Sequence, residues 1–369
     1  MRKVRSSAPY LVDLVPYDPK YLPARVYLNA NESPYGLPQT ALTTLMDSLS
    51  GQMLHRYPDP LAKSLRSDIA AWNRTGEDTV LLGNGGDELL FDIMLAYGGA
   101  GRRLLTAPPS FSSYELDAKL TGTDLVEILR VERAVDNELA AVELGVDENA
   151  LLERVGKGDI DVVMLASPNN PTGDVLSEEF VLALLEASDA LVLIDQAYRE
   201  FADPQYDVRR HLEDHENLAI LRTFSKAYAL AGIRLGYLLA SKTVVNELCK
   251  VRQPYSVDAF SALAGKAVLG DLDAFSRQIE ESISERRRLA LALREMSQVE
   301  VFASEANFIL IRVAHAHQIW LRLYEDQSIL LRDFSAAPFL TDCLRISVGT
   351  PEENDEFLAA FGRCLGELL

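Results

Sequence analysis

A lysine that could act as a nucleophile follows an apolar segment in the second half of the chain. Residues 218–221 (Leu-Ala-Ile-Leu) have the composition of a buried strand, and Lys226 lies shortly after them. Burial favours the neutral form of an amine, which attacks carbonyl groups and can afterwards carry a proton. The alternative, a lysine that only extends from a strand end into solvent, is what this segment alone would favour.

Asp195 ends the preceding apolar segment, residues 190–194. An unpaired carboxylate in a sheet core is costly, so this position requires a cationic partner. A protonated ring nitrogen of an aromatic cofactor is such a partner, because an opposing aspartate keeps the ring able to accept electrons. A helix cap or a structural ion pair would also account for Asp195, but not for Tyr198 and Asn170 at neighbouring strand ends.

Polar clusters follow three apolar segments in the middle of the chain. They are residues 167–173, 195–198 and 223–226, and residues 178–188 between the first two strands have helical spacing. This β-α-β pattern is typical of an α/β sheet, in which ligands bind beyond the carboxyl ends of the strands. We therefore expect the three clusters to converge on one cleft.

A glycine-rich turn precedes another predicted helix. Residues 83–88 (Gly-Asn-Gly-Gly-Asp-Glu) come directly before apolar residues at helical spacing. The free N–H groups of such a helix terminus can bind a phosphate, and Thr223, Ser225 and Arg234 could complete the site. Ordinary helix capping by Asp87 and its neighbour is the alternative.

The composition is that of a globular protein with a strong negative charge. The 369 residues exceed what one hydrophobic core usually organises, so two lobes that share a cleft are expected. The 36 basic and 55 acidic side chains give a net charge of −19, which opposes binding to nucleic acid or to anionic membranes. The basic start of the chain lacks the apolar stretch of a signal peptide, so we expect a cytoplasmic protein.

Neither the cysteines nor the histidines indicate a structural or metal site. Cys249, Cys343 and Cys364 are far apart and odd in number, which favours reduced thiols. His315 and His317 alternate along what is predicted to be an extended segment, and no carboxylate lies at zinc spacing. No metal is therefore expected.

The last part of the chain predicts a smaller α/β lobe. Residues 245–296 are predicted to be mostly long helix, with the arginines at 286–288 forming a solvated face. Apolar segments at 307–311, 329–331 and 344–346 predict the strands of this lobe.

Taken together, these motifs resemble the fold-type I pyridoxal-phosphate enzymes, and within them the histidinol-phosphate aminotransferases. The segments that carry the resemblance are residues 28–36 (LNANESPYG), 56–58 (RYP), 83–88 (GNGGDE), 109–111 (PSF), 167–173 (SPNNPTG), 195–198 (DQAY), 223–236 (TFSKAYALAGIRLG) and 344–349 (LRISVG). The resemblance implies an α/β fold of the aspartate aminotransferase type. It also implies three regions: an N-terminal arm with part of the small domain (1–44), a large cofactor-binding domain (45–251) and a small C-terminal domain (252–369).

The resemblance further implies that the cofactor is pyridoxal 5′-phosphate, held by Lys226 as a Schiff base. Asp195 would pair with the pyridine nitrogen, Asn170 and Tyr198 would bond the ring hydroxyl, and Phe111 would stack on the ring. The implied phosphate ligands are Gly86, Asp87, Thr223, Ser225, Arg234 and Tyr57. Tyr57 would come from a second subunit, which implies a homodimer.

For the amino donor, the resemblance places Arg345 and Arg332 at the anionic end, with Tyr17 and Asn31 beside the substrate. In ordinary amino-acid aminotransferases the position of Arg345 binds the α-carboxylate, and the same guanidinium fork suits either anion. An ion pair between Arg332 and Asp333 is the alternative for that arginine.

The implied reaction transfers an amino group from L-histidinol phosphate to 2-oxoglutarate, both small molecules. The sequence departs from the family pattern at Ser33, Gly86, Gln196 and Ser256, none of which is a catalytic group. An aminotransferase for phenylalanine or other aromatic amino acids is therefore an open alternative, and a lyase or decarboxylase for a phosphorylated amino acid is a more distant one. A non-catalytic cofactor-binding regulator is opposed by the negative charge and by the lack of a helix-turn-helix.

Overall fold

The structure is a computed structural model that describes residue 14, residues 22–135 and residues 137–368. Tyr17, predicted beside the substrate, therefore lies outside the described residues. The strands are β1 (Val26–Leu28), β2 (Val80–Asn84), β3 (Arg103–Thr106), β4 (Asp124–Glu127), β5 (Val131–Ala134), β6 (Val142–Gly145), β7 (Val162–Ala166), β8 (Leu191–Asp195), β9 (Leu218–Thr223), β10 (Leu235–Ala240), β11 (Val299–Val301), β12 (Phe308–Val313), β13 (Ile329–Asp333) and β14 (Cys343–Ser347). The helices are α1 (Gln39–Asp47), α2 (Gly51–Leu54), α3 (Lys63–Asn73), α4 (Gly85–Tyr97), α5 (Ser113–Thr121), α6 (Glu148–Val155), α7 (Glu178–Ala187), α8 (Lys242–Leu248), α9 (Ala259–Leu269), α10 (Leu272–Arg294), α11 (Ala316–Gln327) and α12 (Pro351–Leu368).

The larger sheet has seven strands in the order β2-β10-β9-β8-β7-β3-β4. Neighbouring strands are parallel except β10, which is antiparallel to both β2 and β9. Helices cover both faces, so β7, β8 and β9 are buried along their whole length and read as continuous apolar segments. The predicted α/β fold with a mixed, mostly parallel sheet is confirmed.

The smaller sheet has five strands in the order β1-β13-β14-β12-β11. Its first strand comes from the start of the described chain, because Val26 pairs with Ile329 in parallel register. Apolar residues of α10, α11 and α12 pack on this sheet and form a second core. The residue ranges expected for the three regions stay a prediction.

The region 245–296 is mostly helical, as expected, but its helices are separated by turns at Tyr255 (φ 62°) and between α9 and α10. Two other expectations about the C-terminal half are wrong. Arg286 is only 9% exposed and donates to the carbonyl oxygens of Phe201 (3.1 Å) and Ala306 (2.9 Å), so it joins two segments of the same core instead of facing solvent. His317 belongs to α11, not to an extended segment.

The described residues include no helix that could span a membrane. None of the helices there is both long enough and apolar enough to cross a bilayer.

Candidate active site

A cleft of about 490 Å³ opens beyond the carboxyl ends of β7, β8 and β9. Its size is typical of a pocket for a small molecule or cofactor. The residues predicted from sequence that line this cleft are Asn31, Gly86, Asp87, Phe111, Asn170, Asp195, Tyr198, Thr223, Ser225, Lys226, Arg234, Arg332 and Arg345. Tyr57 does not line it, so the protomer alone brings together all of the predicted set except Tyr57 and the undescribed Tyr17.

The amine of Lys226 lies in this cleft on the turn that follows β9. Its Nζ donates to the carbonyl oxygen of Ala30 at 3.0 Å and lies 5.8 Å from the centroid of the Tyr198 ring. It forms no ion pair with a described carboxylate, so no acidic side chain in the described chain holds it. Such an amine is available both as a nucleophile and as a base.

Asp195 lies at the end of β8 and is 6% exposed. Burial raises its pKa to about 6, although hydrogen bonds from the Tyr114 hydroxyl (2.8 Å) and the Ala197 N–H (3.0 Å) oppose this shift. Both donors are neutral, which leaves the negative charge to be balanced by a cation in the cleft. A protonated ring nitrogen meets that requirement.

The hydroxyl of Tyr198 is fixed from the small-domain side of the cleft. Asn31 (φ 54°) donates to it through Nδ2 at 3.0 Å, and Ser347 on β14 donates to Oδ1 of Asn31 at 3.1 Å. Asn31 is 1% exposed. Its side-chain amide thus connects the large sheet, the N-terminal segment and β14, and a role beside the substrate stays a prediction.

The N-terminus of α4 forms one wall of the cleft. Gly85 has φ 77°, and a Cβ at this position would lie 2.5 Å from Nη2 of Arg234. Only glycine therefore lets the guanidinium approach the first turn of the helix. Arg234 pairs with Asp87 at 2.8 Å, both partly exposed, which places the cation beside the free N–H groups of the turn. This arrangement suits a phosphate.

Two hydroxyls lie on the same wall. Thr223 at the end of β9 donates through Oγ1 to Oγ of Ser225 at 2.9 Å, and the backbone N–H of Ser225 donates back to Thr223 Oγ1 at 3.0 Å. Because the Ser225 hydroxyl accepts from Thr223, its own proton is available to an anion in the cleft.

Two arginines of the small domain lie at one end of the cleft. Arg345 on β14 donates to Oδ1 of Asn170 and, at 2.6 Å, to the carbonyl oxygen of Asn29. The guanidinium groups of Arg345 and Arg332 each lie 5.7 Å from the ring centroid of Phe334. Both guanidinium groups are therefore close to the same aromatic ring.

Arg332 does not pair with Asp333, the alternative considered from sequence. Asp333 instead bonds Nδ1 of His317 at 2.8 Å and the backbone N–H of Ser335 at 2.8 Å. These contacts, together with the charge of His317, lower the pKa of the Asp333 carboxyl against the effect of burial. Arg332 forms no ion pair with any described residue, so its charge remains available to a ligand.

Sequence reasoning missed three contributors to the cleft. The Tyr114 hydroxyl donates to Asp195, and the Phe334 ring lies near both guanidinium groups. Arg130 forms a fully buried ion pair with Asp174, which joins the loops that carry Phe111 and Asn170. Each of these residues lies outside the motifs, and only the position of Tyr114, three residues after Phe111 at a helix start, could have drawn attention.

Comparison with known proteins agrees with this geometry. The family model of aminotransferase class I and II matches residues 24–361. The chain belongs to the class I and II aminotransferase family. Histidinol-phosphate aminotransferase 1 of Carboxydothermus hydrogenoformans is 38% identical to this aminotransferase over 99% of the chain and 100% of that protein. The histidinol-phosphate aminotransferase of Chlorobium phaeobacteroides is 36% identical over 91% of the chain and 90% of that protein.

A solved structure extends the comparison to the cofactor. The histidinol-phosphate aminotransferase of Sinorhizobium meliloti in complex with pyridoxal-5′-phosphate has a TM-score of 0.87 and 25% identity, over 100% of this chain and 99% of that one. The cofactor of this aminotransferase is pyridoxal 5′-phosphate. The described residues fit it. The hydrogen bonds to buried Asp195 come from neutral donors, Lys226 has no ion pair among these residues, and Gly85 leaves room for a cation at a helix N-terminus.

Proposed function

We propose that the protein transfers the amino group of L-histidinol phosphate to 2-oxoglutarate, giving imidazole acetol phosphate and L-glutamate in histidine biosynthesis. The observation that carries the proposal is that Arg332 and Arg345 lie together at one end of the cleft, each with its guanidinium 5.7 Å from the Phe334 ring centroid. Two guanidinium groups at one end of the cleft suit a phosphate dianion better than a single carboxylate. The names of the relatives from Carboxydothermus and Chlorobium support the same donor.

The reaction needs a proton to move at the substrate carbon that carries the amine. When bound, pyridoxal 5′-phosphate supplies an electron-accepting ring that stabilises the charge left at that carbon. Lys226 Nζ, held at 3.0 Å from Ala30 and free of acids, is the base that takes this proton and returns it. Asp195 provides the negative charge opposite the ring nitrogen, and the Tyr198 hydroxyl, fixed by Asn31, orients the ring oxygen.

Asn170 couples the ring side of the cleft to the substrate side. Its Oδ1 accepts from Arg345, and its Nδ2 has no hydrogen bond to a described residue, so it can donate to a ring oxygen. A donor that draws Arg345 to its anionic end therefore also affects the orientation of Asn170. This contact makes binding of the correct anion part of aligning the ring.

A single-turnover spectrum tests the function. Purified enzyme loaded with cofactor is mixed with L-histidinol phosphate or, separately, with L-phenylalanine, and loss of the visible cofactor band is followed as the cofactor takes up the amino group. We expect fast loss only with histidinol phosphate. Faster loss with phenylalanine would assign the protein to the aromatic aminotransferases, and a band that no amine changes would indicate a cofactor-binding regulator.

Replacing Arg332 by glutamine tests how the donor is recognised. We expect kcat/KM for histidinol phosphate to fall by about 10- to 100-fold, because a charged hydrogen bond to the phosphate is lost. Phenylalanine has no phosphate, so its kcat/KM should change by less than about threefold. Arg322→Gln is the matched control, since Arg322 lies on α11 and pairs with Glu367 at the surface. Equal losses for both amines would show that Arg332 does not select the phosphate.

We also propose a homodimer in which Tyr57 completes the phosphate site of the partner subunit. Tyr57 is 82% exposed and stacks on Tyr255 with a centroid distance of 4.7 Å, and exposed tyrosines of this kind are enriched at protein interfaces. Leu42 and Met46 on α1 are also exposed. Multi-angle light scattering should give about twice the 40.9 kDa of one chain. A mass of one chain would contradict the dimer.

A cytoplasmic location belongs to the same proposal. Its support is chemical: Cys249, Cys343 and Cys364 are all free thiols, as expected in a reducing compartment.

A further inference from the structure

Both oxygens of the Asp195 carboxylate are bonded by neutral donors, and one of these donors is a side chain that no motif contains. The hydroxyl of Tyr114 donates to Oδ2 at 2.8 Å, and the backbone N–H of Ala197 donates to Oδ1 at 3.0 Å. None of the described arginines, lysines or histidines forms an ion pair with this carboxylate. The hydroxyl therefore fixes the carboxylate while leaving its charge for the cofactor.

Tyr114 is itself held rigidly. It is 1% exposed, lies in the core between the large sheet and α4, and meets the Phe111 ring edge-on with a centroid distance of 5.9 Å. Its backbone N–H donates to the carbonyl oxygen of Phe111 at 3.2 Å. One turn at the start of α5 thus positions both the residue expected on the ring face and the partner of Asp195.

We propose that Tyr114 is a positioning residue for Asp195, whose carboxylate it orients and keeps in the charged form that the ring nitrogen of the cofactor requires. The proposal deepens the proposed function and rests on it only through the cofactor, because it does not depend on which amino donor is used. An arginine at the same place would orient the carboxylate equally well, but its positive charge would balance the charge of the carboxylate. The hydroxyl of a tyrosine orients the carboxylate without balancing its charge.

The surroundings of the two groups shift their pKa values in the directions that this geometry requires. Burial raises the pKa of Asp195 to about 6, and the hydrogen bonds from Tyr114 and Ala197 keep that pKa lower than burial alone would set it. Burial, together with the charge of Asp195, raises the pKa of Tyr114 well above its ordinary value, so the hydroxyl stays protonated and remains a donor. Four other ionisable groups of the described chain act on the pair: Asp87 on α4, Arg130 after β4, Tyr198 after β8 and Lys226 after β9.

The test measures cofactor binding as a function of pH. Full-length wild-type protein and Tyr114→Phe are freed of cofactor, and the Kd for pyridoxal 5′-phosphate is determined by equilibrium dialysis from pH 8 to pH 5. Only ionised Asp195 pairs with the protonated ring nitrogen, so binding weakens as the pH falls through the pKa of Asp195 in the cofactor-free protein. Loss of the hydroxyl raises this pKa, so the weakening starts at higher pH in the variant.

The expected result is a ratio of Kd values, variant over wild type, that grows by about tenfold between pH 8 and pH 5. Protonation of the free cofactor is the same for both proteins and cancels in this ratio. A ratio that is constant across the pH range, whatever its size, would reduce Tyr114 to a packing residue and overturn the proposal.

Two further variants serve as a control and as a substitute for Tyr114→Phe. Tyr237→Phe removes the hydroxyl of another tyrosine that is 1% exposed but does not bond Asp195, so its Kd ratio should stay constant with pH. If Tyr114→Phe does not fold, 3-fluorotyrosine incorporated at position 114 provides a stronger donor, and the Kd ratio should then decrease from pH 8 to pH 5. An unchanged ratio for this variant would contradict the proposal.

The outcome is independent of the donor assignment. Dialysis uses no substrate, so failure of histidinol phosphate as a donor leaves the Tyr114 result intact. Wild-type protein that binds no cofactor at any pH would overturn both.

Discussion

Replacing Lys226 by alanine is expected to lower kcat by about 10⁴-fold while leaving the fold intact. Lys226 is the only lysine among the described residues that line the cleft, and its amine donates to a backbone carbonyl and forms no ion pair with a described acid. Alanine removes both the covalent attachment point of the cofactor and the base for the proton transfer. Initial rates with histidinol phosphate, and the visible absorbance of the purified protein, measure the two losses separately.

The matched control for this lysine is Lys242→Ala. Lys242 lies at the start of α8 and pairs with Asp78 at 3.1 Å on the surface. This variant should keep both the absorbance band and the wild-type rate. A Lys226→Ala protein that retains more than about 1% of the wild-type kcat would show that another group carries the proton.

The residues at the strand ends could be predicted from the sequence. Asp195, Asn170 and Lys226 each follow an apolar segment whose length and β-branched composition predict a buried strand. In the parallel part of the sheet, Ala166 pairs with Asp195 and Asp195 pairs with Leu221, so the register brings the three strand ends to one edge. Local pattern and one topological rule were sufficient for that part of the site.

Contacts between distant segments were not predictable in this way. Tyr114 and Arg130 reach the site from α5 and from the segment after β4, and both are ordinary residues by local pattern. Arg286 was assigned to a solvated face because it belongs to a run of three arginines, yet α10 packs between the two cores and turns it inward. Periodicity gives the face of a helix, but not which carbonyl groups that face will meet.

Replacing Asp195 by asparagine is expected to move activity and stability in opposite directions. Asparagine has the same shape and can still accept from Tyr114 or Ala197, but it carries no charge to oppose the ring nitrogen. We expect kcat/KM to fall by about 10³-fold, the size of effect seen when one preorganised electrostatic group is removed. Steady-state kinetics with histidinol phosphate at pH 8 measure this loss.

The stability of the cofactor-free protein should rise in the same variant. The pKa of Asp195 is raised from 3.8 to about 6, so between these values the folded chain keeps a proton that the unfolded chain releases. Stability of the wild type therefore falls as the pH rises through this window, and above it the buried charge costs about 3 kcal/mol. Asparagine avoids this cost, so urea unfolding should show a gain of about 1 to 3 kcal/mol at pH 8 that disappears towards pH 4.

The variant Asp92→Asn separates the effect of a buried carboxylate on stability from its effect on activity. Asp92 on α4 is 3% exposed, and burial raises its pKa to about 7, but it does not line the cleft. This variant should therefore also gain stability at pH 8 while keeping its kcat/KM. If Asp195→Asn loses stability over the whole pH range, the carboxylate is stabilised by the fold itself rather than reserved for the cofactor. If only Asp195→Asn gains stability while losing activity, the charge of Asp195 serves catalysis and lowers the stability of the cofactor-free protein.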